Sequence, residues 1–291
     1  MELAGIFTRR NPNEIKAPKN DVYPYSEILN YKEKIDVLII AHGSSGIFCE
    51  SSARLAEHFN TVDSFDIHSD IERRKNLIDT SAKKGRRSAI VSSGWDPGLL
   101  SLMRLYFSSF MPYAKLTTLW GEGVSQGHSE AIRRIDGVKY AIEYTVPTDA
   151  ARAAAYSKES LPREKMHKRV CYVVCEKSKE CEIAKSIRNM KDYFLGYETE
   201  INFTTENDFL KNHSRLYHRA EVISTGTLNN GMAETAEMAL HLDSNPDFTA
   251  NILLATARAA VRMNEEGKYG AFTVFDIPPK CFASGTADGL L

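Results

Sequence analysis

Apolar runs of strand length alternate with amphipathic stretches in the first third of the chain, and this alternation limits the fold more than any other feature. Four runs have the length and apolar content of buried strands: residues 3–7, 36–41, 61–65 and 88–92. Helical periodicity lies between several of them, most clearly at residues 49–59 and 70–84. Because mostly apolar strands joined through helices form parallel sheets covered on both faces, the sequence predicts an α/β domain.

The middle of the chain has a different pattern. Residues 138–146 and 169–174 predict longer strands, and residues 198–204 alternate as a half-exposed strand does. Residues 179–190 are helical between them. This order predicts a second, α+β region with an antiparallel or mixed sheet.

The C-terminal part combines one clear helix with one ambiguous segment. Asn245 and Pro246 predict the start of a long helix that ends near Gly267, with Asn245 as N-cap and Pro246 in the first helical position. Residues 272–277 predict a last strand. Residues 232–242 stay open between helix and strand, although their Ala, Glu and Met content favours a helix by propensity.

Charge and cysteine usage exclude several classes of function. The chain has 37 basic and 38 acidic residues, a net charge of −1 and no basic stripe, which argues against nucleic acid or an anionic membrane as its main partner. No apolar stretch is long enough to span a membrane or to form a signal peptide, so we expect a cytoplasmic protein with a small-molecule substrate. The five cysteines lack paired C-x-x-C spacing, and Cys171 and Cys175 share strand parity, which predicts reduced, partly buried thiols and no metal site.

Seven sequence blocks, in one order, cover nearly the whole chain: residues 5–10, 61–68, 93–98, 120–129, 167–169, 190–197 and 245–250. The most specific are Ser-Gly-Trp-Asp-Pro-Gly at 93–98 and Gly-Val-Ser-Gln-Gly-His-Ser at 123–129. Taken together, the blocks resemble the meso-diaminopimelate dehydrogenases, a family of NADP-dependent amino-acid oxidoreductases.

This resemblance implies an α/β protein of two domains. Residues 1–94 plus 270–291 would form a Rossmann-type nucleotide domain, and residues 95–269 a mixed-sheet domain that binds substrate and forms a homodimer; residues 232–242 would then be a strand. The family begins with a strand, a G-x-G-x-x-G turn and a helix, about two dozen residues, and no part of this sequence matches them. The expectation is therefore a nucleotide domain without its first strand and glycine loop, from a start assigned too late or from a truncated chain.

The resemblance also implies NADP as the cofactor. Thr8, Arg9 and Arg10 follow the first predicted strand. Guanidinium groups at such a strand tip bind the 2′-phosphate of NADP, whereas an acidic residue there binds the ribose of NAD. Two arginines in this position would equally fit a solvated turn. The other implied cofactor-binding residues are His42, Gly43, Ser44, Ser64, Phe65, Asp66, Ser93, Gly94, Trp95, Asp96 and Pro97.

A long zwitterion with two amino-acid ends is the implied substrate. The implied contacts are Asp66, Trp95 and Asp96 near the reactive D-centre, Trp120, Gln126 and Gly127 along the middle of the pocket, and Thr145, Arg169, His218 and Asn245 at the distal L-centre. A carboxylate can orient the substrate amine and accept its proton, and Asp96 is the first candidate for this catalytic role, followed by Asp66 and then Asp70.

Several of these assignments have a simpler structural alternative. Asp96 precedes a proline and could initiate a helix, and Asn245 is equally suited to cap one. A lone histidine such as His218 in a polar stretch is more often solvated, Arg169 fits a basic surface patch, and Trp120 on an apolar strand fits a core.

The function that the resemblance implies is oxidation of the D-centre of meso-2,6-diaminopimelate by NADP. The products would be ammonia and L-2-amino-6-oxopimelate, which cyclises to tetrahydrodipicolinate, in lysine biosynthesis. Two alternatives are a truncated, non-catalytic dimer that binds diaminopimelate, and a related NADP enzyme for simple D-amino acids. The four residues at the implied L-centre favour diaminopimelate, because simple D-amino acids have no second polar end.

Overall fold

The computed structural model describes residues 1–17, 22–41, 49–111, 113–157, 159–227, 231–286 and 289. The chain forms two compact units, residues 1–102 with 249–291, and residues 103–248. Within the described residues the strands are Ile6–Thr8 (β1), Val22–Pro24 (β2), Val37–Ile40 (β3), Asn60–Asp63 (β4), Ser88–Ile90 (β5), Lys115–Trp120 (β6), Gly123–Val124 (β7), Val138–Pro147 (β8), His167–Cys175 (β9), Thr199–Phe203 (β10), His218–Thr227 (β11), Ala233–Leu242 (β12) and Gly270–Phe272 (β13). The α-helices are Cys49–Ala56 (α1), Ile71–Gly85 (α2), Leu99–Phe110 (α3), Gln126–Arg133 (α4), Asp149–Ala155 (α5), Arg163–Met166 (α6), Glu180–Arg188 (α7), Glu206–Asn212 (α8) and Asn245–Glu265 (α9).

A four-stranded parallel sheet, in the order β13-β5-β4-β3, forms the centre of the first unit. Neighbouring residues of β5 point to opposite faces: Ala89 packs with helices α1 and α2, and Ile90 packs with Val62 and helix α9. The sheet is thus covered by helices on both faces, as the apolar runs predicted.

The first strand of the chain joins a different sheet from the one predicted. Residues 3–7 were expected to lie in the main parallel sheet, but Ile6–Thr8 pairs in parallel with Val22–Pro24, and this ladder is separate from the main sheet in the described part of the chain. Phe7 packs on Tyr23 and Tyr31, with ring centroids 5.5 and 5.1 Å away. Strand β2 is only three residues long and includes a proline, so its sequence gives little strand signal.

The second unit contains two sheets. One has the order β10-β9-β8-β7, with a parallel β10–β9 pair and antiparallel pairs elsewhere, and helices α4 and α7 pack on it through Ile132, Ile183 and Ile187. The other is antiparallel, in the order β12-β11-β6, and packs on α5 through Leu119 and Ile223. The predicted mixed α+β region is confirmed.

The segment 232–242, which was ambiguous between helix and strand, contains strand β12. It pairs with β11 over ten residues, from Thr227 opposite Ala233 to His218 opposite Leu242. The strand that the resemblance implied is therefore correct, and the helix favoured by propensity is wrong, because a full antiparallel ladder outweighs the small propensity differences of Ala, Glu and Met.

Two predicted boundaries near the C-terminus are wrong. Asn245 is the first residue of α9, and the N-cap is Ser244, whose hydroxyl accepts a hydrogen bond from the Asp247 N–H at 3.4 Å. The last strand ends at Phe272, because Thr273 caps a 3₁₀ turn at Val274–Asp276.

The boundaries of the compact units lie inside α3 and α9, at residues 102 and 249, whereas the predicted functional domains divide at residues 94 and 270. Leu253, Ala257 and Met263 of α9 pack in the core of the first unit, which explains why most of that helix belongs to it. The functional division into nucleotide and substrate domains stays a prediction. None of the helices in the described ranges is long and apolar enough to cross a membrane. Cys171, Cys175, Cys181 and Cys281 are free thiols, and Cys171 is buried and Cys175 half-buried, as the strand parity predicted.

Candidate functional site

Two of the predicted cofactor segments lie at the carboxyl ends of neighbouring strands in the first unit. Ser64, Phe65 and Asp66 follow β4, and residues 93–97 follow β5. Ligands of open parallel sheets bind at this edge. The structure therefore brings these two segments together. His42, Gly43 and Ser44 follow β3 in sequence but lie outside the described residues.

A buried ion pair fixes these two strand ends. Asp63 Oδ2 accepts hydrogen bonds from Arg74 Nε at 3.1 Å and Nη2 at 2.8 Å. Asp63 Oδ1 accepts from the backbone N–H groups of Phe65 and Ser92 at 3.1 and 2.8 Å. Both carboxylate oxygens are thus satisfied, and Arg74 is 1% exposed. The sequence contains a signal for this pair, a charged residue at the end of an apolar strand, but the pair was not predicted.

The turn that carries Trp95 and Asp96 is closed by glycine. The Gly94 N–H donates to the Pro97 carbonyl at 2.8 Å, and Gly98 has a φ of +135°. A Cβ atom on Gly98 would lie 1.9 Å from the Gly94 carbonyl oxygen, so only glycine fits. Asp96 is half-buried in this turn and lies three residues before Leu99, the first residue of α3. It therefore does not initiate that helix directly.

Thr8, Arg9 and Arg10 form a polar turn at the end of β1. The Arg10 N–H donates to the Thr8 hydroxyl at 3.1 Å, and the Arg9 guanidinium lies 4.5 Å from the ring centre of Tyr25. Both arginines are exposed, so this turn could hold the phosphate of a nucleotide.

Asp70 is a weaker candidate than the sequence suggested. Its two oxygens accept hydrogen bonds from Arg73 at 2.6 and 2.7 Å. This contact lowers the pKa of the Asp70 carboxyl. A carboxylate paired in this way accepts a proton less readily than an ordinary aspartate.

In the second unit, strand register brings the predicted distal residues together. Gly123 of β7 lies opposite Thr145 of β8, which lies opposite Arg169 of β9. The Arg169 Nη1 group donates to the Thr145 hydroxyl at 2.5 Å. A Cβ atom on Gly123 would lie 2.5 Å from the His218 Cα, so His218 packs directly on this strand. Arg169 is 8% exposed and His218 5%, so neither the surface patch nor the solvated loop of the simpler alternatives is correct.

Beside this group lies Glu143, a buried carboxylic acid that was not among the predicted site residues. Its oxygens accept from the Thr145 hydroxyl at 3.2 and 3.3 Å, and Oε1 lies 3.6 Å from Arg169 Nη1. Loss of hydration raises the pKa of Glu143 to about 8, although Arg169 and the Thr145 hydroxyl partly oppose the shift. The available signal was a glutamate at a buried position of an apolar strand.

Two histidines border the same cluster. Burial lowers the pKa of His128 to about 3 and that of His167 to about 4, and the charge of Arg169 contributes to both shifts. Both imidazoles are therefore neutral near neutral pH. His167 Nε2 accepts from the Trp120 backbone N–H at 3.0 Å, which brings Trp120 beside β9. Trp120 is 37% exposed, so the sequence alternative of a core tryptophan is wrong.

The remaining predicted substrate residues lie at element ends of the second unit. Gln126 and Gly127 are exposed at the start of α4, after Ser125, whose N–H donates to the Glu143 carbonyl at 3.0 Å. The Asn245 N–H donates to the Leu216 carbonyl at 2.9 Å, two residues before His218. In the described part of the chain, no three His, Cys, Asp or Glu side chains are grouped to hold a metal ion.

Comparison with known proteins identifies the family. Residues 94–244 match the family model of the diaminopimelic acid dehydrogenase C-terminal domain. The chain is 43% identical to a meso-diaminopimelate D-dehydrogenase of Acetivibrio thermocellus, over 100% of this chain and 89% of the relative. The structure superposes on a DAP dehydrogenase of C. glutamicum in complex with DAP with a TM-score of 0.92 and 39% identity, over 100% of this chain and 90% of that one. An engineered D-amino acid dehydrogenase bound to NADP⁺ matches with a TM-score of 0.87 and 37% identity, over 100% and 90% of the two chains. The chain contains a helix-covered parallel sheet and a mixed-sheet unit, and its sequence is similar to these relatives along its entire length. We therefore conclude that the protein belongs to the meso-diaminopimelate D-dehydrogenase family.

Proposed function

We propose that this protein catalyses the reversible, NADP-dependent oxidative deamination of the D-centre of meso-2,6-diaminopimelate in lysine biosynthesis. The products are ammonia and L-2-amino-6-oxopimelate, which cyclises to tetrahydrodipicolinate. The observation that carries the proposal is the identity of about two residues in five to relatives named for this activity, along the full chain. The solved relative in complex with DAP supports the same substrate.

The second unit binds the distal L-centre in this proposal. Its main anchor is Arg169, whose guanidinium suits a carboxylate, with Thr145 beside it and His218 packed on the neighbouring strand. Asn245 completes this set, and Trp120, Gln126 and Gly127 line the middle of the substrate. An enzyme for simple D-amino acids would have no use for a buried guanidinium in this position.

The first unit handles the reactive D-centre. Asp96, Trp95 and Asp66 lie at the strand ends where parallel sheets bind their ligands. Asp96 orients the substrate ammonium and accepts its proton, so that the amine lone pair can form the imine as hydride leaves the carbon. Asp66 is the second candidate for this base. Water then hydrolyses the imine.

The cofactor in this proposal is NADP, whose nicotinamide accepts the hydride when bound. Two exposed guanidiniums in a turn stabilised by the Thr8 hydroxyl fit a dianionic phosphate, and the turn contains no carboxylate that would repel it. Arg9 and Arg10 would bind that phosphate. Ser64, Phe65, Ser93, Gly94 and Pro97 would border the nucleotide along the strand ends.

The direct test is turnover of the 291-residue protein with meso-diaminopimelate, the LL isomer and D-norleucine, each with NADP and with NAD. We expect reduction of NADP with the meso isomer and much slower reaction with the other substrates. Preference for D-norleucine would favour the alternative of a general D-amino-acid dehydrogenase. Binding of meso-diaminopimelate without any turnover would favour the non-catalytic alternative.

Replacement of Arg169 by alanine separates substrate recognition from folding. The KM for meso-diaminopimelate should rise strongly, since one substrate carboxylate is left unpaired. The KM for D-norleucine, which has no second carboxylate, should change little. An equal loss with both substrates would mean that Arg169 serves the structure alone.

A cytoplasmic homodimer formed through the second unit is part of the proposal. Phe110 and Tyr113 of that unit are 71% and 82% exposed, and Leu116 lies near them in sequence. Exposed apolar side chains of this size are common at subunit interfaces. Sedimentation at micromolar concentration should give a dimer, and a monomer would contradict this part of the proposal.

A further inference from the structure

Glu143 is a buried residue of the second unit's polar cluster to which the proposed reaction gives no role. It lies on the sheet face of Ala141, opposite Cys171 in register, and it is fully buried. Its carboxyl group bonds to the Thr145 hydroxyl, which in turn accepts from Arg169. Thr145 thus links the acid to the guanidinium, and the fixed geometry of strands β8 and β9 sets the spacing.

Arg169 is only partly satisfied by these contacts. Its Nε atom is buried and has no hydrogen-bond partner among the described residues. The guanidinium carbon lies 4.5 Å from the ring centre of Tyr197, which supports one face of the group. A buried N–H group without an acceptor is costly, and a ligand carboxylate that supplies one recovers that cost.

We propose that Glu143 is a positioning residue for substrate binding, which holds Arg169 through the Thr145 hydroxyl and leaves its other N–H groups for the distal carboxylate of the bound amino acid. This inference rests on the proposed function and assigns a role to a residue beside its substrate site. Glu143 does not touch the substrate in this account and acts only through Arg169.

The charge of Glu143 sets how strongly it competes with that carboxylate. With a pKa of about 8, the group is mostly uncharged near neutral pH, so it orients Arg169 without neutralising it. The anion formed at higher pH attracts the same guanidinium as the substrate does. Affinity for the distal carboxylate therefore falls as pH rises through the pKa of Glu143.

The other charged and titratable groups around Glu143 do not explain such a change. His128 and His167 stay neutral because burial and the nearby guanidinium lower their pKa. Burial raises the pKa of the Cys171 thiol far above its usual range, so it stays protonated. Arg169, and Arg188, whose charge acts on Cys171, are arginines and keep their charge. The ring of Tyr197 packs on the guanidinium of Arg169.

Equilibrium binding without cofactor tests the inference on the full chain. The probes are meso-diaminopimelate, D-2-aminopimelate, which keeps the distal carboxylate but lacks the distal amine, and D-norleucine, which lacks both. For Glu143→Ala we expect the dissociation constants of the first two to rise about tenfold, the effect of one lost hydrogen-bonded support, and that of D-norleucine to stay unchanged. Glu143→Gln should restore wild-type affinity near neutral pH, because the amide keeps an acceptor for Thr145. Glu130→Gln, an exposed change on α4, is the matched control.

The pH profile gives a readout that a purely structural role would not produce. Wild-type affinity for D-2-aminopimelate should fall with increasing pH above about 8, by up to tenfold per pH unit, and Glu143→Gln should remove this dependence. If Glu143→Ala does not fold, the glutamine profile decides the matter. An unchanged profile in Glu143→Gln, or an equal loss of D-norleucine binding in Glu143→Ala, would overturn the inference. The Arg169→Ala variant distinguishes two kinds of failure. If it also binds meso-diaminopimelate as tightly as the wild type, both this inference and the proposed recognition of substrate fail. If only the Glu143 variants are without effect, the proposed function stands and this inference alone fails.

Discussion

Among the described residues, each unit contains one buried pair of a carboxyl group and a guanidinium, and the two pairs are built differently. Asp63 and Arg74 in the first unit are joined by two hydrogen bonds of 2.8 and 3.1 Å, and backbone N–H groups satisfy the other carboxylate oxygen. In the second unit, Glu143 Oε1 lies 3.6 Å from Arg169 Nη1, and the Thr145 hydroxyl forms hydrogen bonds to both residues. Arg169 Nε has no hydrogen-bond partner in the described part of the chain.

This difference separates a structural pair from one that awaits a ligand. A buried charge is tolerated when its partner and its remaining hydrogen bonds are all in place, as they are for Asp63. A buried guanidinium with an N–H group that lacks an acceptor raises the free energy of the unliganded protein. A ligand carboxylate that accepts from this group removes that cost. Two pairs built from the same residue types therefore have different roles, one in folding and one in recognition.

Replacement of Arg74 should produce the largest effect on stability. Arg74→Met leaves Asp63 buried without its cation, and we expect the free energy of unfolding to fall by about 3–5 kcal/mol. Urea unfolding measures the change. Arg73→Met, which breaks the exposed pair with Asp70, is the control and should cost less than about 1 kcal/mol. Equal losses in the two variants would mean that the Asp63–Arg74 pair has no special role.

Arg9 and Arg10 provide a third arrangement of guanidiniums, exposed on the first unit. Their joint replacement by alanine should weaken NADP binding by about 2–4 kcal/mol, the value of two charge-assisted contacts. Affinity for NAD should change little, because it has no 2′-phosphate. The control is joint replacement of the exposed Lys32 and Lys34. Titration with both nucleotides decides the point, and an equal loss for NADP and NAD would remove the assignment.

The sequence predicted the regular elements well because their signals are local. Residues 36–41 became Val37–Ile40 with almost the same bounds, since an apolar run of that length has few alternatives. Ser244 replaced Asn245 as the helix cap because two neighbouring residues can both cap, and only the backbone geometry chooses between them. The N-terminal strand joined an unexpected partner because pairing depends on distant residues.

The candidate site was less accessible to sequence reasoning. The resemblance named Thr145, Arg169 and His218. The structure places Thr145 and Arg169 on the neighbouring strands β8 and β9, and His218 of the other sheet packs on β7 beside them. Glu143 was missed, because a glutamate on an apolar strand does not reveal which cation lies across the sheet. The simpler alternative placed His218 in a solvated polar stretch, but its strand is apparent only from pairing with β12.

The pH dependence of protein stability provides a smaller effect that further distinguishes the Glu143–Arg169 pair from the Asp63–Arg74 pair. The pKa of Glu143 is raised from its ordinary value of 4.5 to about 8, so the folded protein binds that proton more tightly than the unfolded chain does. This contribution to stability is complete below the unfolded pKa and is lost as pH rises to about 8, by no more than about 1.4 kcal/mol per pH unit. Glu143→Gln should therefore flatten the decline of Tm between about pH 5 and pH 8. Parallel declines in variant and wild type would contradict a raised pKa.

The central claim, that the Glu143–Arg169 cluster serves the ligand and the Asp63–Arg74 pair serves the fold, is tested most directly by the thermal shift that meso-diaminopimelate produces. A ligand at one hundred times its dissociation constant stabilises the folded state by about 2.7 kcal/mol. Wild type and Arg74→Lys should gain the same stabilisation from that concentration of ligand, although Arg74→Lys unfolds at a lower temperature without it. Arg169→Met should keep a nearly wild-type Tm without ligand and gain little when ligand is added. A full ligand-induced shift in Arg169→Met, or its loss in Arg74→Lys, would contradict the account.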